Sequence, residues 1–229
     1  MKKVITISLG GSLIFKDNEI NNKFLSDFKK VILRNTKNYK FIIVCGGGSI
    51  ARIYISGLKK INASEKLQSY AGISVTRTNA RFLSYYFGYE NEDGIAHTTD
   101  EVKKMVIKKD IVFCGALEYH PQQTSDSTSA EIATTLKTQF INLTNVPGLH
   151  DKNPLKYKNA KFIPEISWQD FEKMTEKIQF KPGQHFVLDQ KAAKIINKYK
   201  IKTYILGPET ENIDKLLNNK KFTGTVINN

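Results

Sequence analysis

The chain has 229 residues, enough to bury a sizeable core in one α/β domain or in two tightly packed lobes. Its formal net charge is +13, but the excess is nearly all lysine and is spread along the chain. A nucleic-acid interface is therefore not indicated, because such a surface clusters arginines with stacking aromatic side chains. No apolar run reaches membrane-spanning length and no signal peptide is evident, so we expect no membrane partner and a soluble, cytoplasmic protein.

Apolar runs rich in β-branched residues alternate with stretches of helical periodicity from one end of the chain to the other. This alternation predicts an α/β fold with a mostly parallel sheet and helices on both of its faces. The predicted strands are Val4–Leu9, Phe41–Cys45, Ile111–Cys114, Gln139–Leu143, Thr203–Leu206 and an edge strand at Thr223–Ile227. The predicted helices are Asn22–Thr36, Ser49 to about Ile61, Ser64–Phe87 interrupted or loosened near Gly72, Thr98 to about Lys109, Ser125 or Asp126 to about Leu136, a short helix opened by Ser167, one that follows Gly183 and runs through Lys198, and one near Asn212–Asn218.

The cysteines and histidines give no sign of a metal site. Cys45 and Cys114 each end an apolar run, which favours small core residues in a reducing compartment over a disulfide. The four histidines lack metal-ligand spacing.

The stretch 41–54 is the clearest candidate for a ligand site. A buried strand is followed by three glycines and then by Ser49, which we expect to cap a helix. Glycines let a backbone come close to a ligand, and the free N–H groups of a helix N-terminus attract anions. Arg52, one turn into the helix, can grip a phosphate with its bidentate guanidinium. The alternative is a tight strand–helix turn that binds nothing.

Three further polar or glycine-rich segments follow predicted strands, and ligands of doubly wound sheets bind at the carboxyl ends of strands. Four such ends in one sheet are hard to explain by packing alone, so they indicate a phosphate-handling site. The chain contains neither a GxxxxGK[ST] P-loop nor a GxGxxG dinucleotide fingerprint, which argues against P-loop enzymes and NAD-binding dehydrogenases. The three segments are 10–12, 120–126 and 144–148.

The order and spacing of several motifs resemble those of the amino acid kinase family, and within it the archaeal type of UMP kinase. The resemblance covers essentially the whole chain, and its specific part is the pair GGGSIARIYI (46–55) and GISVTRTNARFL (72–83). It implies a three-layer open sandwich formed by one domain, 1–229, with an acceptor lobe at about 1–137 and an ATP lobe at about 138–229. It also implies homo-oligomers, dimers or hexamers. The other matching motifs are HPQQTSD (120–126), TNVPGLHDKNP (144–154) and LDQKAAKII (188–196).

The resemblance further implies two subsites and a pair of catalytic residues, Arg52 and Asp126. Asp126 matches an aspartate that orients basic groups rather than taking a proton. Arg77 and Asn79 lie on the matching helix, with either a dimer or a core role. The implied ATP site comprises Gly10, Gly11, Gly48, Arg52, Thr144, Asn145, His150 and Asn153. The implied UMP site comprises Gly47, Ser69, His120, Pro121, Gln122, Gln123, Thr124 and Ser125.

The chemistry implied is transfer of the ATP γ-phosphoryl group, with Mg²⁺, to UMP in pyrimidine nucleotide biosynthesis. Such a transfer needs an in-line geometry and neutralisation of charge. The acceptor is already an anion, so no general base is required. Glycine N–H groups and Arg52 would supply part of the stabilisation.

Several positions depart from the family pattern. Relatives often carry a lysine where this chain has Ser8, and an aspartate where it has Ser69 or Pro147. Lys16 and Lys181 are candidates for a replacement cation, although a solvated surface lysine suits each of them. Lys194 matches a lysine of the family, and a surface or dimer role is the alternative to a catalytic one. Two alternatives therefore stay open. One is a kinase for another anion, such as isopentenyl phosphate, carbamate or an amino-acid carboxylate. The other is a nucleotide-binding protein that has lost its chemistry.

Overall fold

The computed structural model describes residues 2–16, 19–90, 94–121, 123–176 and 187–229. Three positions singled out in the sequence, Gln122, Lys181 and Gly183, lie outside the described residues. The strands are β1 (Lys3–Leu9), β2 (Phe15–Lys16), β3 (Glu19–Ile20), β4 (Tyr39–Cys45), β5 (Ile111–Cys114), β6 (Gln139–Leu143), β7 (Leu149–His150), β8 (Phe162–Ile163), β9 (Glu165–Ser167), β10 (Thr203–Leu206) and β11 (Thr225–Asn228). The helices are α1 (Gly11–Ile14), α2 (Asn22–Asn35), α3 (Gly48–Lys60), α4 (Glu65–Tyr86), α5 (Thr99–Lys108), α6 (Ser125–Leu136), α7 (Trp168–Glu176), α8 (Gln190–Tyr199) and α9 (Glu211–Leu217).

Seven strands form the central sheet in the order β5-β4-β1-β6-β10-β11-β9. Every neighbouring pair is parallel except β10 with β11, so the predicted mostly parallel sheet is confirmed. Leu9 at the end of β1 pairs with Cys45 of β4 and with Leu143 of β6. Because these strands stop at the same level, the segments that follow them meet at one edge of the sheet, where open α/β sheets bind ligands.

Successive side chains of β4 enter two different cores, which explains the layers of helices on both faces. Phe41, Ile43 and Cys45 pack into the core that includes residues of α2, α4 and α9. Ile42 and Val44 point the other way, into the core that includes residues of α5 and α6. A strand buried on both faces has no polar alternation, and its near-continuous apolar run is typical of parallel sheets. A third core packs α7 and α8 against the β6–β10–β11 side of the sheet.

Both cysteines lie in the core, as predicted. Cys45 and Cys114 are free and buried at the ends of β4 and β5. Burial raises the pKa of both thiols, that of Cys114 to about 12, so neither is a ready thiolate. Within the described ranges, no helix combines the length and apolar character needed to cross a membrane.

Two predicted helix caps are wrong. Ser49 does not cap α3: the helix begins one residue earlier, after Gly47, and the buried Ser49 hydroxyl has no hydrogen-bond partner among the described residues. The cap of α6 is Thr124 rather than Ser125 or Asp126, because its side chain accepts from the Asp126 backbone N–H. In both places the true cap lies N-terminal to the predicted one, so the residue that was expected to cap the helix lies inside it.

Two further expectations about elements change. The helix α4 runs unbroken through Gly72, where a side chain would meet Ile55 of α3, so packing between the two helices offsets the low helix propensity of glycine. The strand β11 is not an edge strand, since it pairs with β10 on one side and with β9 on the other. The loop 145–164 contains a short hairpin, the antiparallel pair β7–β8.

Candidate active site

A cleft of about 220 Å³ opens at the carboxyl ends of β1, β4, β5 and β6. Segments that follow all four strands line it, together with part of α4 and the start of α8. Eleven predicted site residues lie on its wall, which brings both predicted subsites into one space. They are Gly10, Gly11, Gly47, Gly48, Arg52, Ser69, Gln123, Thr124, Ser125, Asp126 and Thr144.

The glycine turns after β1 and β4 are in direct backbone contact. A Cβ atom on Gly11 would lie 2.1 Å from the backbone nitrogen of Gly48, and one on Gly46 would lie 2.7 Å from the nitrogen of Gly11. Gly48 also has a φ of +64°, a conformation that residues with side chains rarely adopt. The chain therefore needs glycine here so that two strand ends can form one continuous backbone surface.

That surface carries the N-terminus of a helix with unused donors. α3 begins at Gly48 and no side chain among the described residues caps it, so its first N–H groups remain available to a ligand. The N-terminus of the twelve-residue α6, capped by Thr124, also lines the cleft with Ser125 and Asp126. The positive ends of both helix dipoles favour an anion in the cleft.

Arg52 is the one basic side chain that lines the cleft among the described residues. It is partly buried, and its guanidinium makes no hydrogen bond or ion pair with any described residue. A guanidinium presents five donors in a planar fork that suits phosphate oxygens. Arg52 is therefore free to bind an anionic ligand.

Asp126 lines the same cleft from the first turn of α6. The hydroxyl of Ser8, which is fully buried in β1, donates a 2.7 Å hydrogen bond to Asp126 Oδ1. Burial raises the pKa of Asp126 to about 7, the nearby Asp189 carboxylate adds to the rise, and the Ser8 hydrogen bond opposes it. No lysine or arginine among the described residues contacts Asp126, so this carboxylate is only partly ionised at neutral pH.

Asp189 is a site residue that the sequence analysis missed. It caps α8 through the Ala192 N–H at 2.8 Å, and it also accepts from the Ser127 hydroxyl at 2.7 Å and from the Thr124 hydroxyl. It is only 3% exposed, so its charge is held by these hydrogen bonds. The signal was an aspartate just before the amphipathic segment 190–199, a typical N-cap. Its contact with α6 is long-range and could not be seen in the sequence.

Five predicted ligand residues do not line the cleft, and three of them make local contacts. Asn145 directly follows Thr144, and its Oδ1 lies 3.5 Å from the Thr144 hydroxyl. His150, in β7, has its ring Nδ1 3.1 Å from the Gly148 carbonyl and packs against Phe162. Asn153 accepts the Leu155 N–H at 2.9 Å. The other two residues outside the lining are His120 and Pro121.

Two of the lysines singled out in the sequence, Lys16 and Lys194, lie away from the cleft lining. Lys16 is exposed on the small β2–β3 hairpin. Lys194 is exposed on α8 and lines a separate groove beside α6, together with Lys191 and Lys198. Both positions favour surface roles. The described residues also contain no group of three or more His, Cys, Asp or Glu side chains that would hold a metal ion by themselves.

The chain matches a known protein family. A model of the amino acid kinase family fits residues 3–207. Among similar proteins, the uridylate kinase of Methanopyrus kandleri is 32% identical over 205 residues, which is 89% of this chain and 88% of the relative. The uridylate kinase of Archaeoglobus fulgidus is 31% identical over 224 residues, which is 97% of this chain and 99% of the relative.

Solved structures agree with these matches. The crystal structure of the Archaeoglobus fulgidus uridylate kinase superposes with a TM-score of 0.82 at 32% identity, covering 99% of this chain and 100% of that one. A UMP kinase from Bacillus anthracis superposes with a TM-score of 0.81, covering 99% of this chain and 96% of that one. Its 19% identity makes it evidence for the fold alone.

Proposed function

The chain belongs to the amino acid kinase family, and from that premise we propose that it is an enzyme that phosphorylates UMP, with ATP as donor and UDP and ADP as products. The observation that carries the proposal is the joined pair of glycine turns with the unpaired guanidinium of Arg52 beside it. Backbone N–H groups and a guanidinium are the donors that phosphate oxygens prefer. The uridylate kinases that resemble the chain over nearly its full length supply the acceptor.

The two nucleotides would occupy opposite parts of the cleft. We assign the ATP phosphates to the turn at Gly10, Gly11 and Gly48, with Thr144 beside them. We assign UMP to Gly47, Ser69 and the loop residues Gln123, Thr124 and Ser125, with His120 and Pro121 reaching it only after a local rearrangement. Asn145, His150 and Asn153 would reach the ATP base and ribose only after a local rearrangement, because they lie outside the cleft lining. We further propose an acceptor lobe at about 1–137 and an ATP lobe at about 138–229, with the turn at Gly10, Gly11 and Gly48 reaching the ATP phosphates from the acceptor lobe.

The reaction asks the protein for position and charge rather than for a base. An oxygen of the UMP phosphate attacks the γ-phosphorus in line, the bond to the ADP oxygen breaks, and no proton has to be removed from the acceptor. Arg52 and the N–H groups of α3 lie on the wall from which they can neutralise charge on the transferring group. Walls made of rigid strand ends keep the two phosphates aligned.

Mg²⁺ fits this site only as a partner of the nucleotide. Mg²⁺ binds through one or two carboxylates plus substrate phosphates and keeps several waters. Asp126 lines the cleft and only its Oδ1 accepts from Ser8, so it is the carboxylate that would face the ion or its water shell. Asp189 is a poor ligand, since both of its oxygens already accept hydrogen bonds. When bound, Mg²⁺ supplies positive charge to the phosphates.

We place the enzyme in pyrimidine nucleotide biosynthesis in the cytoplasm and expect a homo-oligomer, a dimer or a hexamer. Two features support self-association. Ile53 and Tyr54 on α3 are more than half exposed, as is Leu67 on the neighbouring α4. Large exposed apolar side chains on adjacent helices often mark an interface.

Product analysis tests the proposal. The purified protein is incubated with ATP, Mg²⁺ and UMP, and nucleotides are separated by chromatography. UDP and ADP should form in equal amounts, and neither should form when UMP is left out. ADP without UDP would mean ATP hydrolysis or another acceptor. Binding of both nucleotides without any product would identify a protein that has kept the site and lost the chemistry.

A further inference from the structure

One turn of α4 is bonded to the backbone of two loops that border the cleft. The side-chain amide of Asn79 donates a 2.7 Å hydrogen bond to the carbonyl of Gly46, at the start of the second glycine turn. Asn79 is only 4% exposed, so its amide was removed from water to make this contact. A buried amide of this kind stabilises the fold only when its hydrogen bonds are made.

The same turn holds the loop that follows β5. The Ala116 N–H donates to the Thr76 hydroxyl at 2.9 Å, and Arg77 Nε donates to the Ala116 carbonyl at 3.2 Å. The Arg77 guanidinium also donates to the Leu117 carbonyl. Gly115 allows this approach, because a Cβ atom there would lie 2.5 Å from the backbone nitrogen of Arg77. Arg77 therefore has a core-facing role rather than a free surface one.

These bonds are not needed simply to pack α4 on the sheet. Val75, Ala80 and Leu83 bury the apolar face of the helix. The three polar side chains instead bond to main-chain atoms just beyond the ends of β4 and β5, neighbouring strands in the sheet. One loop leads into the glycine turn, and the other leads into the loop 120–125. A short rigid helix segment therefore sets the distance between the two walls of the cleft.

We propose that Thr76, Arg77 and Asn79 are positioning residues that fix the acceptor loop relative to the glycine turn. The inference rests on the proposed function for its kinetic consequences, while its structural part stands independently of turnover. None of the three has to touch the reacting atoms. Misplacing one reactant by about 1 Å is enough to cost about a hundredfold in rate.

Loss of the Arg77 hydrogen bonds and loss of the Asn79 hydrogen bond should have different kinetic consequences. Arg77→Ala frees the loop after β5, so KM for UMP should rise by about tenfold or more, while KM for ATP changes less than twofold. Asn79→Ala frees the glycine turn that both nucleotides share, so kcat should fall by about tenfold or more. Arg77→Lys replaces the guanidinium with an ammonium group that can still donate a hydrogen bond. It should therefore recover part of the UMP affinity that Arg77→Ala loses.

Two matched controls separate positioning from loss of stability. Asn35 is a buried asparagine far from the cleft whose amide donates to the Val31 carbonyl at 2.9 Å and to Asp214 at 2.8 Å. Asn35→Ala should lower the melting temperature as Asn79→Ala does, with kcat and both KM values unchanged. Arg81 lies one turn beyond Arg77 on α4 and is exposed. Arg81→Ala should therefore change neither the melting temperature nor the kinetic constants.

Amide hydrogen exchange of the nucleotide-free protein closes the test, because it does not depend on activity. Arg77→Ala should speed exchange in the segment at Ala116, whose N–H donates to Thr76, and Asn79→Ala in the segment at Gly46, whose N–H donates to the Leu9 carbonyl, relative to Asn35→Ala and to the wild-type protein. If the variants exchange faster but the wild-type protein does not turn over UMP, the positioning role of these residues is retained and the proposed function is rejected. Unchanged exchange in these segments, or a kinetic effect equal to that of Asn35→Ala, would overturn the proposal that Thr76, Arg77 and Asn79 are positioning residues.

Discussion

Ser8 of β1 donates a 2.7 Å hydrogen bond to Asp126 of α6, and this bond joins the centre of the sheet to the acceptor side of the cleft. A lysine in the place of Ser8 would hold Asp126 as a charged carboxylate. A hydroxyl cannot do so, and burial raises the pKa of Asp126 to about 7. Positive charge in the described part of the cleft therefore comes from Arg52 alone among the side chains.

Arg52→Ala should lower kcat/KM for UMP phosphorylation by about a hundredfold, because one charged donor to the transferring group contributes a few kcal/mol. Arg34→Ala serves as the control, since Arg34 is exposed and pairs with Asp214, away from the cleft. Steady-state kinetics of both variants provide the measurement. A near-wild-type rate for Arg52→Ala would remove this residue from the site.

The pH dependence of activity should report Asp126. If its carboxylate must be charged to face Mg²⁺, kcat/KM should rise with pH through a midpoint of about 7. Asp126→Asn should be less active and should lose this step, while any titration of the nucleotides themselves persists in the variant. Ser8→Ala removes the hydrogen bond that lowers the pKa, so the step should move to higher pH. Identical profiles for all three proteins would exclude Asp126 as the titrating group.

The contribution of Asp126 to the free energy of unfolding should depend on pH with the opposite sign to that of a typical carboxylate. The pKa of Asp126 is about 7 in the folded protein and near 3.8 when unfolded, so the folded state binds more protons between these values. Its contribution to stability is therefore complete below about pH 4 and is lost as the pH rises through 7. Asp126→Asn should melt a few degrees higher than the wild-type protein at pH 8, with little gain at pH 4 to 5. A larger gain at acidic pH would contradict the assignment.

The contact between the glycine turns predicts contrasting results for two glycines. Gly11→Ala places a methyl group 2.1 Å from the Gly48 nitrogen, which forces the turns apart and should weaken ATP binding by at least about tenfold. Gly57→Ala lies inside α3 with nothing within 4 Å of the new methyl group. It should stabilise the protein by up to about 1 kcal/mol without changing affinity. Calorimetric titration and thermal melting compare the two variants, and equal ATP affinity in both would refute the contact as a functional feature.

The sequence predicted the elements that depend on local pattern. The runs that became β1, β4, β5 and β6 are apolar because both faces of a parallel sheet are buried, and their bounds agree closely with the structure. The glycine-rich segments that follow these strands then predicted the position of the cleft, because the turn at Gly10 and the turn at Gly47 follow neighbouring strands.

What the sequence did not reveal depends on contacts between distant segments. The Asp189 bonds to the start of α6 join positions more than 60 residues apart. The pairing of β9 with β11, which removes β11 from the sheet edge, is equally remote in sequence. The caps at Gly47 and Thr124 were each missed because a serine nearby has the stronger capping preference. Here the tertiary position of the turn decides where the helix begins.

The central claim is the identity of the acceptor. The most direct measurement is ADP release from ATP and Mg²⁺ with UMP, CMP, isopentenyl phosphate, carbamate and N-acetylglutamate supplied one at a time, compared as kcat/KM. Turnover with UMP should far exceed turnover with every other acceptor. Faster turnover with isopentenyl phosphate, carbamate or N-acetylglutamate would keep the ATP site and contradict the assigned acceptor.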